Sequence, residues 1–562
     1  MDSTATPKQI SLRLMVDRER NRVLFAEAGK EFVDVLLSFL TLPLGTIARL
    51  VSKDSNLKAV RFGCISSLYD SVGNIDPEYF STNTCKEMLL RPRNPIEAHC
   101  RNLKINIDDT EPTKYFICQN IECRKKQSVL LSTFRNQRCN CGTDLYFEVN
   151  LDSSLAVASE GFVQKMLKFV ILDDLSVITI GDRYTTLGVL RSLGINYAPV
   201  ELTVDITQNE VLDLLKCALL SKAALSEAFL HKKQNLEKTI AQESYCLIKE
   251  EKAGDEENKN VKLKVKLTVR KSNGKVTFAQ VEKDFVDVLL SFLTLPVGAV
   301  EHILGGNSCF GCLSKLYTSV VDLNVKYLKS EKHKAMLINP GVAQQFKVNS
   351  EILNVHEVTL PQYSCYTKYY YRNFTVSNLS SLLVAARPYS PLSKIYNDYE
   401  LYSTVTLVDP KCLMKGESNN DGRFVEGPSM FMVTDDLVVK PFSLISAVSY
   451  LNESNVGEDD LEELIIGIGV KEVKAILKAS MISCSALTTG LTSFLEKELK
   501  EFVDVLLSFF LTLPLGTIAR LVSKDSNFKP LRFGCISSLY QRNAASAQES
   551  NGSSLWKSEN KH

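Results

Sequence analysis

The chain has 562 residues, 45% hydrophobic and 23% charged, long enough for roughly two to four ordinary domains with cores of their own. Its 66 basic side chains are balanced by 65 acidic ones, leaving a net charge of +1, which excludes a global field drawing the protein to nucleic acid or anionic lipid. Any such binding needs a local patch.

The N-terminus MDSTATPKQISLRLMV has neither a basic leader nor an uninterrupted apolar run, so an intracellular protein, cytoplasmic or nuclear, is expected. The 15 cysteines are scattered, which suits reduced thiols better than a disulfide framework. SLRLMVDRERNRVLFAEA, residues 11–28, alternates apolar and polar around a charged turn and predicts a β-hairpin. It feeds FVDVLLSFLTLP, in which Phe32, Val35, Leu36, Phe39 and Leu40 share one helical face while Asp34, Ser38 and Thr41 line the other. Pro43 predicts a stop near Thr41, and LGTIARLVSK then starts a shorter helix. The stretch Phe32 to Val51 approaches membrane-spanning length, but Asp34, Pro43, Gly45 and Arg49 interrupt it, and no span is expected.

The same order recurs. VKLTVRKSNGKVTFAQV, residues 265–281, precedes a second FVDVLLSFLTLP at Phe285–Pro296, with Ser272, Asn273 and Gly274 at the turn. Both halves continue with FGC and a LeuTyr pair, at Phe62–Tyr69 and Phe310–Tyr317. KFVILDDLSVITI at Lys168–Ile180 matches MFMVTDDLVVKPF at Met430–Phe442, each reading as strand, turn, strand. Thr207 and Glu210 form a capping box ahead of VLDLLKCALLSKAAL, whose counterpart is VKEVKAILKASMISCSAL. Beyond Lys500 a third copy matches Glu31–Tyr69 at 36 of 39 positions apart from an inserted Phe, without the hairpin or the strand block.

The expected fold class is therefore α+β: two similar tandem domains, each a small, mostly antiparallel sheet with packed helices, plus a partial third copy. The expected boundaries are 8–248 for the first repeat, with a cysteine-rich insert at 115–146, and 249–260 for a charged linker. The second repeat is expected at 261–498, the partial copy at 499–540 and a disordered tail at 541–562.

Chemistry concentrates in one place. Cys118, Cys123, Cys139 and Cys141 form two close pairs, the second ending in Gly142, and four thiolates suit a tetrahedral Zn²⁺ that staples a loop and leaves no position for water. Gaps of four and one residues depart from the common two-residue spacing, so plain reduced cysteines and disulfides remain alternatives. In the second half only Cys365 stands at a comparable place. AspAsp at Asp173–Asp174 and Asp435–Asp436 reads as turn chemistry with solvated side chains, set against an acid/base or Mg²⁺ pair. Cys64, Cys312 and Cys535 read as core packing, since no His lies near them in sequence. Lys262, Lys264 and Lys266 read as the solvent face of an edge strand. GIG at Gly467–Gly469 lacks the third glycine of a dinucleotide loop. No catalytic or cofactor-binding residue is assigned.

Hairpin, FVDVLLSFLTLPLGTI, FGC with LeuTyr, CysAsnCysGly and LLKCALLSKAAL together resemble the plant family known as domain of unknown function 674, whose members commonly carry this unit in tandem. The resemblance implies no reaction and brings no catalytic residues. The leading expectation is a non-catalytic intracellular interaction or scaffold protein with protein partners and possible zinc. The alternatives are a small-ligand binder or enzyme with a cleft between repeats, and a zinc-loop nucleic-acid binder using Arg124, Lys125, Lys126, Arg135 and Arg138.

Overall fold

The computed structural model describes residues 8–230, 263–492 and Leu495, less internal stretches of which 153–160, 180–198, 369–381, 387–398 and 413–421 are the longest. Residues 1–490 form one compact unit and 491–562 another. The charged linker, the partial third copy with Cys535, and the tail all lie outside the described residues.

The first repeat runs β1 (Ile10–Asp17), β2 (Arg22–Gly29), α1 (Lys30–Ser38), α2 (Leu44–Val51), α3 (Gly63–Asn74) and α4 (Asn83–Leu90). It continues through β3 (Tyr115–Cys118), β4 (Ser128–Ser132), β5 (Gln137–Arg138), β6 (Asp144–Val149), β7 (Leu151–Asp152), β8 (Lys168–Leu172) and β9 (Val177–Thr179). It closes with β10 (Val200–Ile206), α5 (Gln208–Leu220) and α6 (Ala224–Phe229). The second repeat runs β11 (Leu263–Arg270), β12 (Val276–Val281), α7 (Lys283–Ser291), α8 (Val297–Ile303), α9 (Gly311–Asp322) and α10 (Glu331–Ile338). Then follow β13 (Tyr363–Lys368), β14 (Leu382–Ala386), β15 (Tyr399–Leu407), β16 (Phe431–Thr434), β17 (Val439–Pro441), α11 (Leu444–Glu453), β18 (Leu461–Ile468) and α12 (Val470–Ile482).

Each repeat builds the same five-stranded antiparallel sheet, ordered β10-β1-β2-β8-β9 in the first and β18-β11-β12-β16-β17 in the second. Even the bulges coincide, between Met15 and Val16 and between Thr268 and Val269. The expected α+β repeats are thus present, and both hairpins form with left-handed residues in their turns, Asn21 at φ 47° and Gly274 at φ 68°. One reading from sequence fails: β11 is no edge strand, because β18 pairs along its whole length, and Lys266 meets Glu463 at 2.7 Å.

A third sheet joins the halves. Its eight strands run β5-β6-β3-β4-β15-β13-β14-β7, with parallel pairing of β4 to β15 and of β7 to β14, each pair taking one strand from each repeat. The helices interlock as well. The chain after α1 ends at Leu42–Pro43, where Leu44 N–H donates to Leu295 O at 2.9 Å and Val297 N–H donates to Leu42 O at 3.1 Å. FVDVLLSFLTLP is therefore buried on every side, and Asp34, Ser38 and Thr41, the expected polar face, are buried too.

Asp34 explains its own burial. Its Oδ1 accepts from the backbone N–H of Phe162 at 2.6 Å and Val163 at 2.9 Å, and Lys30 neutralises Oδ2. The loop so held crosses to the other repeat, where Lys329 N–H donates to Phe162 O at 2.9 Å. Asp287 does the same for Phe424 and Val425, and Ser81 N–H donates to Phe424 O at 2.9 Å. The copies then diverge: Lys283, the counterpart of Lys30, pairs with Glu426, and the buried Asp287 Oδ2 has no partner. Burial accordingly pushes the Asp287 carboxyl up to about 7, partly opposed by the two backbone donors.

The FGC segments complete the exchange. α3 packs on α12 of the second repeat, and α9 packs on α5 of the first. Phe62 and Phe310 stack at 5.0 Å between centroids. Gly63 and Gly311 adopt φ +46° and +51°, and each lies against the last carbonyls of the opposing closing helix. The thiols of Cys64 and Cys312 donate to Ser483 O and Ser221 O, both at 3.0 Å. These donations satisfy carbonyls that a helix end leaves without an internal partner.

Two outcomes follow from this geometry. A Cβ at Gly63 would sit 2.5 Å from Ser480 O, and one at Gly311 closer still to Ala218 O, whereas Gly73 has open space. Gly63→Ala and Gly311→Ala should each cost about 2–4 kcal/mol in urea unfolding, from clash plus left-handed strain, against ~1 kcal/mol or less for Gly73→Ala. Equal losses for all three would refute the seat. For Asp287 the folded-state value is raised above the ordinary 3.8, so folding takes up a proton, and stability falls as pH climbs from about 4 to about 7. Asp287→Asn should match wild type within ~1 kcal/mol at pH 5 and exceed it at pH 8 by about 2 kcal/mol. Melts in which the Asn variant is the weaker at pH 8 would reverse the assignment.

Candidate metal centre

Three strands and two turns bring the four insert cysteines together. Cys118 ends β3, whose partner β6 returns from the turn that carries Cys139 and Cys141, while Cys123 lies on the connection from β3 to β4. In the turn, Cys139 N–H donates to Thr143 O at 2.8 Å and Gly142 N–H donates to Cys139 O at 2.9 Å. Gly142 at φ +85° allows that reversal without a side-chain clash. Asn120 N–H points at the Cys118 sulfur from 3.4 Å, and Cys123 N–H closes the first turn on Asn120 O at 3.2 Å.

The four sulfurs all lie within 4.8 Å of one another. A tetrahedral ion with bonds of about 2.3 Å sets its sulfurs ~3.8 Å apart, so the cluster has the size of a tetrathiolate site, and the narrow one-residue gap is accommodated by the turn. Cys118 and Cys141 stand 3.5 Å apart, and the Thr143 hydroxyl lies 3.1 Å from the first sulfur and 2.9 Å from the second. Cys118, Cys123 and Cys139 are buried with Phe116 and Leu145 while Cys141 is exposed. Burial pushes the Cys123 and Cys139 thiols up, and neighbouring thiols push Cys123 further. The Thr143 hydroxyl and backbone hold Cys141 down at about 6. A dication would offset the cost of ionising the buried thiols, and binding must release protons.

Other candidates are occupied by structural tasks. Asp173 is buried: its carboxylate accepts from Ser226 N–H and Oγ, both at 2.8 Å, and from Arg22 Nε at 2.8 Å, which caps α6. Asp435 holds Thr488, far along the chain, in the same way, accepting from its N–H at 2.7 Å and its hydroxyl at 2.8 Å. The solvated side chains expected for this pair hold only in part, since Asp174 makes the turn by accepting from Ser176 N–H at 3.0 Å. Leu175 and Leu437 follow at φ 64° and 63°, a left-handed conformation unfavourable for Leu, and both are fully buried. Burial worth ~2 kcal/mol offsets strain of about 1–3 kcal/mol. Cys64 and Cys312 are buried, as expected, and burial raises both thiols, Cys312 to about 12.

Sequence reasoning missed contacts between segments far apart in the chain, one across the repeats and one within the first. His99 and His333, far apart in sequence and at non-equivalent positions, meet edge to face at 5.3 Å. Lys216 is wholly buried on α5, where Nζ donates to Lys53 O at 2.7 Å and Leu57 O at 2.9 Å. A lysine on the apolar face of VLDLLKCALL was the available signal. Of the basic residues near the cysteines, Arg135 lies over the Phe116 ring at 5.3 Å and faces Glu148 at 3.6 Å, and Arg124, Lys125 and Lys126 lie outside the described residues. A cavity between α7 and residues 342–355, lined by Val288, Thr294 and Phe346 among others, holds about 20 Å³, room for a water.

Among the described residues no helix is long and apolar enough to cross a membrane. No curated protein and no solved structure matches the chain. The family model described as protein of unknown function (DUF674) matches residues 6–471 and again 494–557, the second match covering the partial copy. The chain belongs to that family.

Proposed function

We propose that this is a non-catalytic intracellular interaction or scaffold protein whose cysteine ribbon is held by one structural Zn²⁺. The observation that carries the reading is where the duplicated polar chemistry goes. Asp34 and Asp287 hold crossing loops, Cys64 and Cys312 close helix ends, and Asp173 and Asp435 tie down the distant segments at Ser226 and Thr488. Groups used in this way are not free to act on a substrate. Four sulfurs without an accompanying His or carboxylate favour zinc over harder ions, and a fully thiolate shell favours a structural role. The outward side of α11 also fits an interaction protein: Leu444, Ile445 and Val448 are 76%, 80% and 55% exposed.

The test is metal analysis of the purified full chain with parallel screening for turnover. One zinc per chain is expected, with Cys139→Ser plus Cys141→Ser abolishing it and lowering the melting temperature by several degrees. A metal-free wild type, or undiminished zinc in the double variant, would sink the metal assignment. Turnover of any metabolite that Cys64→Ala or Asp174→Asn abolishes would overturn the non-catalytic reading.

A further inference from the structure

The four cysteines are unequal in a way that a purely structural site does not require. Cys141 is the exposed member, carried on the tip of the turn beside Gly142, whereas Cys118, Cys123 and Cys139 are buried. Its sulfur stands 3.5 Å from that of Cys118, and Thr143 Oγ1 lies within 3.1 Å of both. A disulfide needs about 2.05 Å, so the two sulfurs must close by roughly 1.5 Å, within reach of a turn pivoting on glycine.

We propose that Cys141 and Cys118 form a hydroperoxide-responsive thiol pair that discharges the metal. This rests on the metal reading above. The Cys141 thiolate attacks the peroxide: an S–O bond forms, the O–O bond breaks and hydroxide leaves, with sulfur oxidised to the sulfenic acid and peroxide reduced. The Cys118 thiolate then attacks the Cys141 sulfur, so that the S–S bond forms, the S–O bond breaks and a second hydroxide leaves. Two protons from solvent convert both hydroxides to water. Cys123 and Cys139 alone would then be left to hold a bound ion, too few to keep it.

The consequence reaches the other repeat. The ribbon is seated there by β4 pairing with β15, by Val408 N–H donating to Leu131 O at 2.8 Å, and by the Thr133 hydroxyl donating to Gln345 Oε1 at 2.8 Å. Leu130 and Val408 pack against the cysteine cluster itself. Discharge therefore loosens the sheet that joins the halves, and peroxide becomes a signal read as a change in that joint.

The experiment treats the zinc-loaded full chain with stoichiometric to tenfold hydrogen peroxide, follows zinc release with a chromogenic chelator, and maps disulfides by peptide mass spectrometry. Loss of the zinc together with a Cys118–Cys141 link is expected, both reversed by a dithiol and added zinc. Cys141→Ser should form no disulfide at Cys118; if that variant fails to fold, the wild-type map decides alone. Zinc retained, or zinc lost with Cys123–Cys139 as the linked pair, overturns the inference while leaving the structural metal intact. Protein that carries no zinc before treatment overturns the metal reading, and the discharge step falls with it.

Discussion

The structure depends on a reciprocal donation. Each repeat ends its closing helix with a carbonyl that accepts from the other repeat, through the thiol of Cys64 or Cys312, and Gly63 or Gly311 leaves the room for that close approach. Because an unpaired buried carbonyl costs about 1–3 kcal/mol, neither repeat completes its own hydrogen bonding. The same reciprocity governs Leu42–Val297 and Leu44–Leu295, and the loops that Asp34 and Asp287 hold. The two five-stranded sheets are self-contained, but everything between them is shared.

Against that background the cysteine ribbon is the asymmetric part. Among the described residues the cluster of four thiols belongs to the first repeat, yet its strands pair with β15 of the second, so the asymmetry sits inside the joint. Divergence is visible at Asp287 as well, where the lost lysine partner leaves an orphan oxygen and a carboxyl near neutrality. A duplicated scaffold tolerates such drift because the complementary copy keeps the geometry in place.

Local structure was legible from the amino acids. Alternation gave the hairpins, Pro43 the helix stop, and Thr207 with Glu210 the start of α5, because each is decided within a few residues. The convergence of the four insert cysteines was legible too, since cysteine clustering survives imperfect spacing. What could not be read was anything decided between the halves. Asp34, Ser38 and Thr41 look like a solvent face because a periodicity shows polarity and not the carboxylate's distant amide partners. Lys264 and Lys266 look like an edge because β18, almost 200 residues on, is invisible to a local pattern. Asp173 looks solvated because the helix it caps lies beyond β10 and α5.

The Phe62–Phe310 stack and the bridge between Pro43 and Pro296 form an isologous contact of the kind two identical subunits make, here between two segments of a single polypeptide. A homodimer joined this way would come apart on dilution. Covalent linkage replaces bulk concentration with an effective concentration in the millimolar range, independent of how much protein is present. The association is thereby taken out of mass action, and the scarcest copy of this protein in a cell is as completely assembled as the most abundant.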